Sequence, residues 1–519
     1  MRTPLRAKGV PRQTVTRTRT YPAPVGGWNA RDALAAMKPV DAVALVNWFP
    51  RPSYVEFRGG SASHATGMTG NGKTLMVYNR LTGTNQLFCA TGSGIYNTSS
   101  AGAVGAAVLA RTSGKHQWTM FGDGSSNWLI GCNGLDNPAY YDGTTWTAVT
   151  GATTPALTGI TTTELIAPMS HKGRLFFIQQ NSLSFWYLAA GAAGGALTEF
   201  DLSGECPSGG YLVALASWSR DAGSGPDDYF LAFTSEGDVV MYGGTNPNSS
   251  TTWGKVGTFK IAKPIGRRCV VQYGADPLVL TVDGIFPLSS LLQSGEERAR
   301  FALSYKIQNA FAEAARFYST NFGWKAQVFS EHEALLVNIP QAEDGTHEQY
   351  VMNTNTKAWC KFTGWDAEDF AVFNGELYYC DGTVVYKAWT GTADRGSNIT
   401  FYGKQAFMDF GDPQPKQVKL FMPMLTTNGN ISYGADIDMD FEDDEITGTV
   451  SYSVVSGAQW DVSNWDEAYW AQGMEVVKQW SSPAEWTGRW ISGKLKIVSN
   501  SLNCQWSAST MMWEPGQGL

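Results

Sequence analysis

Charged residues are scarce in this chain, making up 16% of 519 residues, and histidine occurs only five times. The histidines lack the spacing of metal ligands, and no Gly-x-Ser-x-Gly elbow of a serine hydrolase occurs. No apolar run approaches the length of about 18 residues that a membrane-spanning helix needs. The N-terminus lacks the apolar segment of a secretory signal, so we expect a product of the cytoplasm.

Cysteine is too scattered to build a disulfide framework or a metal site. The chain has seven cysteines, an odd number, and none of them forms a C-x-x-C pair. An unpaired cysteine behaves as a small apolar residue. We therefore expect buried free thiols at all seven positions, which are Cys89, Cys132, Cys206, Cys269, Cys360, Cys380 and Cys504.

Glycine and aromatic residues are abundant instead. The chain has 57 glycines, 20 tryptophans, 21 tyrosines and 25 phenylalanines, which favours pleated strands and tight turns. Over residues 54–395, short apolar strands alternate with hairpin-type turns such as Asn133-Gly134 and Asp381-Gly382. The strand pairs recur every ~40–57 residues, close to the length of a propeller blade. The sequence predicts an all-β fold with a β-propeller of six or seven blades, with stacked sandwiches as the alternative.

Two segments depart from the propeller pattern. Residues 296–318 place Leu303, Ile307 and Phe311 on one helical face, which predicts an amphipathic helix inserted between blades. After residue 396 the predicted strands become longer. This change predicts a separate C-terminal β-sandwich over residues 396–519, which is an ordinary domain size.

One segment matches the phosphate-loop pattern letter for letter. It runs from Gly67 to Thr74 and ends with Gly72-Lys73-Thr74. A phosphate loop requires a buried strand before it and a helix after it, because the helix N-terminus holds the phosphates. Here small polar residues precede the motif and a strand pattern follows it. We interpret the match as a glycine-rich turn, and we predict no nucleotide site and no cofactor.

Asp436, Asp438 and Asp440 resemble the start of a calcium-binding loop. Phe441 stands where that loop needs glycine, and Thr447 stands where it needs a bidentate glutamate. Four further acids follow at positions 442–445. We expect an exposed acidic loop, with a weak surface cation site as the alternative.

Charge is distributed unevenly along the chain. Residues 1–31 contain no acid, whereas the remainder carries 31 bases and 46 acids. We predict that residues 1–53 form a basic arm and an opening segment, the arm being either disordered or laid on a neighbouring subunit. The bases of the arm are Arg2, Arg6, Lys8, Arg12, Arg17, Arg19 and Arg31.

The opening segment resembles a phage protein family. Gly26-Gly27-Trp28-Asn29, a following Pro-Val-Asp-Ala stretch, Asn47-Trp48-Phe49-Pro50 and Arg58-Gly59-Gly60 are similar to the start of the tail tubular protein B, or nozzle, group of short-tailed phages. Trp28 departs from the leucine usual in that group. Further similarity lies at Ala302–Ile307, Phe410–Pro413 with Lys416, and Trp460–Trp465.

The resemblance implies a structural, non-enzymatic protein of the virion tail. The implied assembly is a homo-oligomeric ring, usually a hexamer, with propellers around a channel through which phage DNA passes without sequence-specific binding. An acidic body would let DNA slide through such a channel. Implied partners are neighbouring adaptor or portal-proximal proteins and tail fibres. We expect the interface residues to include Arg2, Arg6, Lys8, Arg12, Arg17, Arg19, Trp28, Trp48, Phe49, Trp460 and Trp465.

A second hypothesis is a tail-tip propeller that binds or cleaves host surface glycan. Its contact surface would be the polar loops 217–228 and 245–252, since function often lies on loops. A carboxylate pair could serve as glycosidase acid and nucleophile, the candidates being Asp201, Glu205, Asp227 and Asp228. The C-terminal tryptophans, including Trp460 and Trp465, could stack on sugars, although we favour a packing role for them.

Overall fold

The structure is a computed structural model that describes residues 15–80, 83–219, 228–291, 298–446, 449–452, 474–482 and 487–516. It divides into two compact units. The propeller unit is Arg58–Ile399, and the sandwich unit combines Met1–Phe57 with Thr400–Leu519. Among the described residues, no helix is long and apolar enough to cross a membrane.

The described residues of the propeller unit form seven blades of antiparallel strands. Blade 1 contains Gly72–Tyr78, Gln86–Thr91, Gly94–Asn97 and Leu109–Ala110, and blade 2 contains Gln117–Gly122, Asn127–Cys132, Ala139–Tyr141 and Trp146–Ala148. Blade 3 contains Leu165–His171, Arg174–Gln179, Ser184–Tyr187 and Thr198–Asp201, and blade 4 contains Leu212–Ser219, Asp228–Thr234, Asp238–Gly244 and Trp253–Lys260. Blade 5 contains Val270–Val271, Leu278–Thr281 and Gly284–Pro287, and blade 6 contains Lys325–Phe329, Ala334–Pro340, His347–Asn353 and Trp359–Phe362. Blade 7 contains Asp369–Phe373, Glu376–Asp381, Val384–Ala388 and Ser61–Thr66.

The blades close into a ring through their first strands. First strands contact each other between blades 1 and 2, 2 and 3, 3 and 4, 5 and 6, 6 and 7, and 7 and 1. Apolar side chains fill the spaces between blades; for example, Phe176 of blade 3 packs on Phe230 of blade 4 with ring centroids 4.8 Å apart. The predicted β-propeller is therefore confirmed, with seven blades in the described part of the chain.

Blade 7 joins the two ends of the propeller unit. Ser61–Thr66 supplies its fourth strand by pairing antiparallel with Val384–Ala388, and the short strand Gly102–Ala103 pairs parallel with the other side of Ser61–Thr66. Gly60 lies so close to the backbone of Ala393 that a Cβ atom there would be 2.1 Å from the Ala393 carbonyl oxygen. Only glycine fits this contact, since any side chain would push the two segments apart.

The inserted helix is shorter than predicted. The α-helix is Gln308–Tyr318, and it follows two 3-10 turns at Arg298–Phe301 and Tyr305–Ile307. The prediction of one helix over 296–318 was wrong for residues 298–307, which contain the two 3-10 turns. Residues 296 and 297 lie outside the described residues. The cause is a competing contact, because the Leu303 amide donates to the Ile285 carbonyl and the Ile285 amide donates to Ser304 Oγ.

The described residues of the sandwich unit form two sheets. The first sheet has the order Trp48–Pro50, Val55–Phe57, Cys504–Pro515, Lys416–Thr427 and Glu475–Val477, with Arg17–Pro22 beside Cys504–Pro515 and Thr487–Gly488 beside Lys416–Thr427. The second sheet has the order Asp41–Val46, Ile399–Gln405, Ile491–Ser499, Ile431–Met439 and Val450–Tyr452, with Gly27–Trp28 beside Asp41–Val46.

Aromatic side chains fill the space between these two sheets. Trp48 and Trp506 of the first sheet lie with ring centroids 5.8 Å apart, and the ring of Phe57 stacks on Phe401 of the second sheet. A Cβ atom at Gly403 would lie 2.8 Å from the Trp506 ring, so glycine there makes room for the indole. The predicted C-terminal sandwich is confirmed as an architecture.

The N-terminal segment belongs to this sandwich, which differs from the prediction of a separate arm over residues 1–53. Strand Arg17–Pro22 pairs antiparallel with Cys504–Pro515 of the same chain. Arg17 forms an ion pair with Asp412 at 2.7 Å, and Arg19 donates to the Phe410 carbonyl at 2.7 Å. In its described residues, the predicted basic arm therefore finds strand-pairing and ion-pair partners within its own chain.

Candidate functional site

Two cavities lie along the axis of the propeller unit. The inner axial cavity, of about 290 Å³, is lined mainly by the first strands of blades 1, 2, 5, 6 and 7. The outer axial cavity, of about 370 Å³, is lined by segments that precede the first strands of blades 2, 5 and 6, and by turns of blades 2 and 3. Gln117, Arg267 and Arg268 line both cavities.

Three cationic side chains lie near the ring of Phe322, which lines the outer axial cavity. The Arg268 guanidinium carbon lies 4.2 Å from the ring centroid, and the Nζ atoms of Lys115 and Lys73 lie 5.1 and 6.0 Å from it. The negative face of an aromatic ring attracts such cations. Asn321 fixes the segment by donating to the carbonyl oxygens of Pro340 and Gln341 at 3.0 and 3.2 Å.

Lys73, the lysine of the phosphate-loop match, is an internal ion-pair residue. It lies in strand Gly72–Tyr78 rather than before a helix, so the local geometry is not that of a phosphate loop. Its Nζ is 2.6 Å from Asp344 and 2.9 Å from Glu368. Burial lowers the pKa of Lys73, but its two carboxylate partners outweigh burial and leave the pKa above its ordinary value.

Asp369 of blade 7 contacts residues of blades 1 and 6, and it also pairs with Arg268, which lies over Phe322. Its carboxylate is fully buried, accepts a hydrogen bond from the Leu75 amide at 2.9 Å, and lies 2.8 Å from Lys325 Nζ and 3.2 Å from Arg268. A buried carboxylate is stable only when its charge is compensated in this way. The Asp369 charge in the lining of the inner axial cavity is therefore balanced by Lys325 and Arg268.

The outer axial cavity has an excess of positive charge. Its described lining contains Lys115, Arg267 and Arg268 but no carboxylate, in a chain whose net charge is −8. Lys115 pairs with Glu343, and Arg268 pairs with Asp369. Arg267 has neither a hydrogen bond nor an ion pair within the described residues. Burial lowers the pKa of Arg267, an effect that Tyr211 partly offsets.

The described residues of the axial cavities include one histidine and no metal-binding cluster. His116 lines the inner axial cavity, and burial, aided by the charge of Arg111, lowers its pKa to about 4. It is therefore neutral near pH 7. No group of three or more His, Cys, Asp or Glu side chains among the described residues is placed to hold a metal ion. All seven cysteines are buried and free, as predicted.

The aromatic residues predicted at an interface are distributed differently in the structure. Trp48 and Phe49 have 0% exposure and belong to the interior of the sandwich, so their prediction as contact residues was wrong. The sequence shows that these side chains are apolar but not which surface covers them. Trp28 is half-buried in strand Gly27–Trp28. The other predicted positions, Arg2, Arg6, Lys8, Arg12, Trp460 and Trp465, lie outside the described residues.

The predicted acidic loop is only partly a loop. Asp436 and Asp438 are buried in strand Ile431–Met439, so their prediction as exposed residues was wrong. The buried lysines Lys404 and Lys494 compensate Asp438, the Lys404 Nζ lying 2.6 Å from it. Asp440 is exposed and accepts hydrogen bonds from the amides of residues 489 and 490, both at 2.9 Å. Positions 442–445 are exposed, in agreement with the prediction.

The candidate glycosidase carboxylates have separate partners. Asp201 accepts hydrogen bonds from Ser203, which hold the pKa of Asp201 below its ordinary value, the opposite of what a general acid needs. Glu205 forms an ion pair with Lys255. Asp228 begins strand Asp228–Thr234 opposite Ser219. Asp227 and positions 220–227 of the proposed contact loop lie outside the described residues.

The sequence did not identify the cationic residues around Phe322. Arg267 and Arg268 form the only Arg-Arg pair in the chain, and this was the one available signal. Lys115 and Phe322 are distant from that pair in sequence. Folding brings these residues together because the segments that contain them lead into the first strands of different blades. Patterns in a single sequence do not show such contacts.

No family profile matches the chain, and no curated protein matches it. Solved structures that it resembles include the Pan2 WD40 domain of Neurospora crassa, with 10% identity, a TM-score of 0.36, and coverage of 63% of this chain and 95% of that domain. The Cps50 (Swd1) β-propeller domain of Myceliophteria thermophila gives 12% identity, a TM-score of 0.40, and coverage of 63% and 99%. The extracellular domain of a hybrid two-component system protein of B. thetaiotaomicron gives 10% identity, a TM-score of 0.36, and coverage of 66% of this chain but 41% of that one. The fold assignment itself rests on the strand order and ring closure described above.

Proposed function

We propose that the chain is a structural subunit of the tail of a short-tailed phage, of the tail tubular protein B or nozzle type. In this proposal several copies form a ring around the DNA channel, next to adaptor or portal-proximal proteins and tail fibres. The protein is made in the host cytoplasm and assembled into the virion. The proposal rests on the opening motif that resembles the nozzle group, because its residues form hydrogen bonds and close backbone contacts that the fold requires.

The first half of the motif builds one hydrogen-bonded corner. Asn29 Nδ2 donates to Asp32 and to Asp41, both at 2.9 Å. A Cβ atom at Gly26 would lie 2.5 Å from Asp41 Oδ1, so glycine is required there. A motif that is needed for fold geometry is shared by proteins that share the fold, which supports the relation to the nozzle group.

The second half of the motif continues into both units. Asn47 adopts a positive φ of 62° and donates to the Thr400 carbonyl at 2.8 Å, which orients Trp48 and Phe49 into the sandwich. Arg58 and Gly60 fix the closing blade of the propeller. None of these roles is catalytic, in keeping with a structural subunit.

The net charge of −8 supports passage of DNA rather than tight binding. Tight, sequence-independent binding of DNA needs a surplus of Lys and Arg for phosphate contacts. A channel wall with negative potential repels phosphates and lets the duplex slide.

The test is to place a stop codon in the gene and to examine the particles produced. We expect particles that lack a complete tail and lose their DNA, with assembly restored by a plasmid copy of the gene. Mass spectrometry of purified wild-type particles should detect the chain in several copies. Complete, DNA-filled particles formed without the chain would contradict the proposal, and particles that merely fail to adsorb would favour the glycan alternative.

A further inference from the structure

The outer axial cavity carries two polar groups that lack partners within the described residues. The Arg267 guanidinium has no carboxylate or carbonyl partner there, although it lines both cavities. The Oε1 atom of Gln117 is buried and accepts no hydrogen bond. Buried polar groups are nearly always satisfied in folded proteins, so the unsatisfied Gln117 Oε1 requires an explanation. Arg267 is half-buried, so part of its side chain is open to solvent and to a ligand.

The two groups have complementary requirements. Arg267 offers a planar fork of donors that suits a carboxylate or a phosphate. Gln117 Oε1 requires a donor, such as a hydroxyl group. Because both side chains line the same two cavities, one small molecule with an anionic group and a hydroxyl group has a partner in each of them.

The surrounding residues favour an anion that is small. The outer axial cavity has a volume of about 370 Å³, near the lower end of the range of ligand pockets, roughly 300–1,000 Å³. Phe322 lies beside Arg268 and Lys115, whose charges are compensated by Asp369 and Glu343 outside the described lining, so Arg267 supplies the uncompensated positive charge of the cavity. The neutral polar side chains of Asn133, Gln180 and Asn321 complete a lining that suits a hydroxylated ring.

We propose that the outer axial cavity binds an anionic sugar, with Arg267 holding its carboxylate or phosphate group and Gln117 accepting a hydrogen bond from one of its hydroxyl groups. This site differs from the loops 217–228 and 245–252 of the glycan hypothesis. The proposed sugar site is independent of the tail-ring proposal, because a ring subunit and a protein of another function could each contain such a site.

The test is a binding titration of the full-length chain by calorimetry and saturation-transfer NMR. The probes are glucuronate, glucose 6-phosphate and neutral glucose, at low ionic strength. We expect at least one of the two anionic sugars to bind and glucose to bind about tenfold more weakly or not at all, because it lacks the charge-assisted hydrogen bonds. Binding of glucuronate alone identifies a carboxylate ligand, and binding of glucose 6-phosphate alone identifies a phosphate ligand.

Three variants distinguish the site from general surface attraction. Arg267→Gln should weaken binding of the anionic sugar about tenfold, and Gln117→Leu should weaken it without changing the preference for the anion. Arg80→Gln makes the same charge change at an exposed position that lines neither axial cavity and should leave binding unchanged. Thermal unfolding confirms that each variant is folded.

Two results would overturn the inference. One is the absence of binding by both anionic sugars to the folded wild-type chain. The other is binding that is equal in wild type and in Arg267→Gln, because the anion would then be attracted by the surface as a whole. Neither result bears on ring assembly, which is measured on particles.

Discussion

At the scale of single residues, Arg58 shows how a buried cation secures the closing blade. Its side chain is fully buried, forms hydrogen bonds of 3.1 and 2.5 Å with the two oxygens of Asp394, and lies 4.5 Å above the Trp365 ring. The substitution Arg58→Met leaves Asp394 without its counter-charge. We predict a loss of about 3–5 kcal/mol in the free energy of unfolding of the propeller unit, measured by urea denaturation.

Two comparisons make this prediction specific. Lys263→Met removes an exposed cation that pairs with Glu236, and it should cost less than about 1 kcal/mol. The double variant Arg58→Met/Asp394→Leu removes both charges and should recover part of the loss. An Arg58→Met variant as stable as Lys263→Met would show that the ion pair does not hold the blade.

His116 predicts a pH dependence of propeller stability. Its pKa is about 4 in the folded chain, against about 6.5 in the unfolded chain. The stabilisation is complete above pH 6.5 and is lost as the pH falls towards 4, because only the unfolded chain then binds the proton. Between pH 7 and pH 5 we expect a loss of about 2 kcal/mol from this group.

The measurement compares wild type with His116→Leu by urea denaturation at pH 7 and pH 5. The variant should lose about 2 kcal/mol less than wild type over this interval. His171, whose pKa burial also lowers to about 4, remains in both proteins and contributes equally to both. An identical pH dependence in the two proteins would mean that the pKa of His116 is the same in the folded and unfolded chains.

Residue roles were predictable only where the neighbours are near in sequence. The strand pattern after the phosphate-loop match was predicted from adjacent residues, and Lys73 lies in strand Gly72–Tyr78. Asp438 was misplaced because the lysines that compensate it, Lys404 and Lys494, come from other strands of the sheet. For the same reason Trp48 was taken for a contact residue, since its partner Trp506 lies at the other end of the chain.

At the scale of elements, the pairing of Ser61–Thr66 with Val384–Ala388 closes the propeller. Ala62 lies directly opposite Lys387 in this antiparallel pair. Such partners have Cα atoms about 4.5–5.5 Å apart, within the range of a disulfide. We predict that Ala62→Cys/Lys387→Cys forms a disulfide and stabilises the propeller unit by about 2–4 kcal/mol, seen as a higher Tm.

The control moves one cysteine by a single residue. In Ala62→Cys/Tyr386→Cys the two side chains point to opposite faces of the blade, so no disulfide should form. The seven native cysteines are buried and should not compete. Reducing agent should return the first variant to the wild-type Tm, and equal crosslinking of both variants would contradict the strand register.

Hairpins were the elements that the sequence predicted best. The turns at Asn133-Gly134 and Asp381-Gly382 connect adjacent strands of blades 2 and 7, and both glycines have the expected positive φ, 75° and 54°. The helix was predicted less well, because helical spacing continues through Leu303 and does not show the hydrogen bonds of residues 303 and 304 to Ile285.

At the scale of the whole molecule, the repeat of strand pairs was sufficient to predict a propeller but not the make-up of the two units. Strand Arg17–Pro22 and strand Cys504–Pro515 lie at opposite ends of the sequence and pair in one sheet. No local pattern indicates such a pairing. The predicted boundary between an N-terminal arm and a C-terminal sandwich therefore missed that both belong to one unit.

Cryo-electron microscopy of the phage particle tests the proposal of a tail-ring subunit. We expect several symmetry-related copies of the chain in the tail, each showing a seven-bladed propeller, arranged around the DNA channel. Density for a single propeller at the tail tip, or no density for it in the particle, would show that the chain is not a ring subunit.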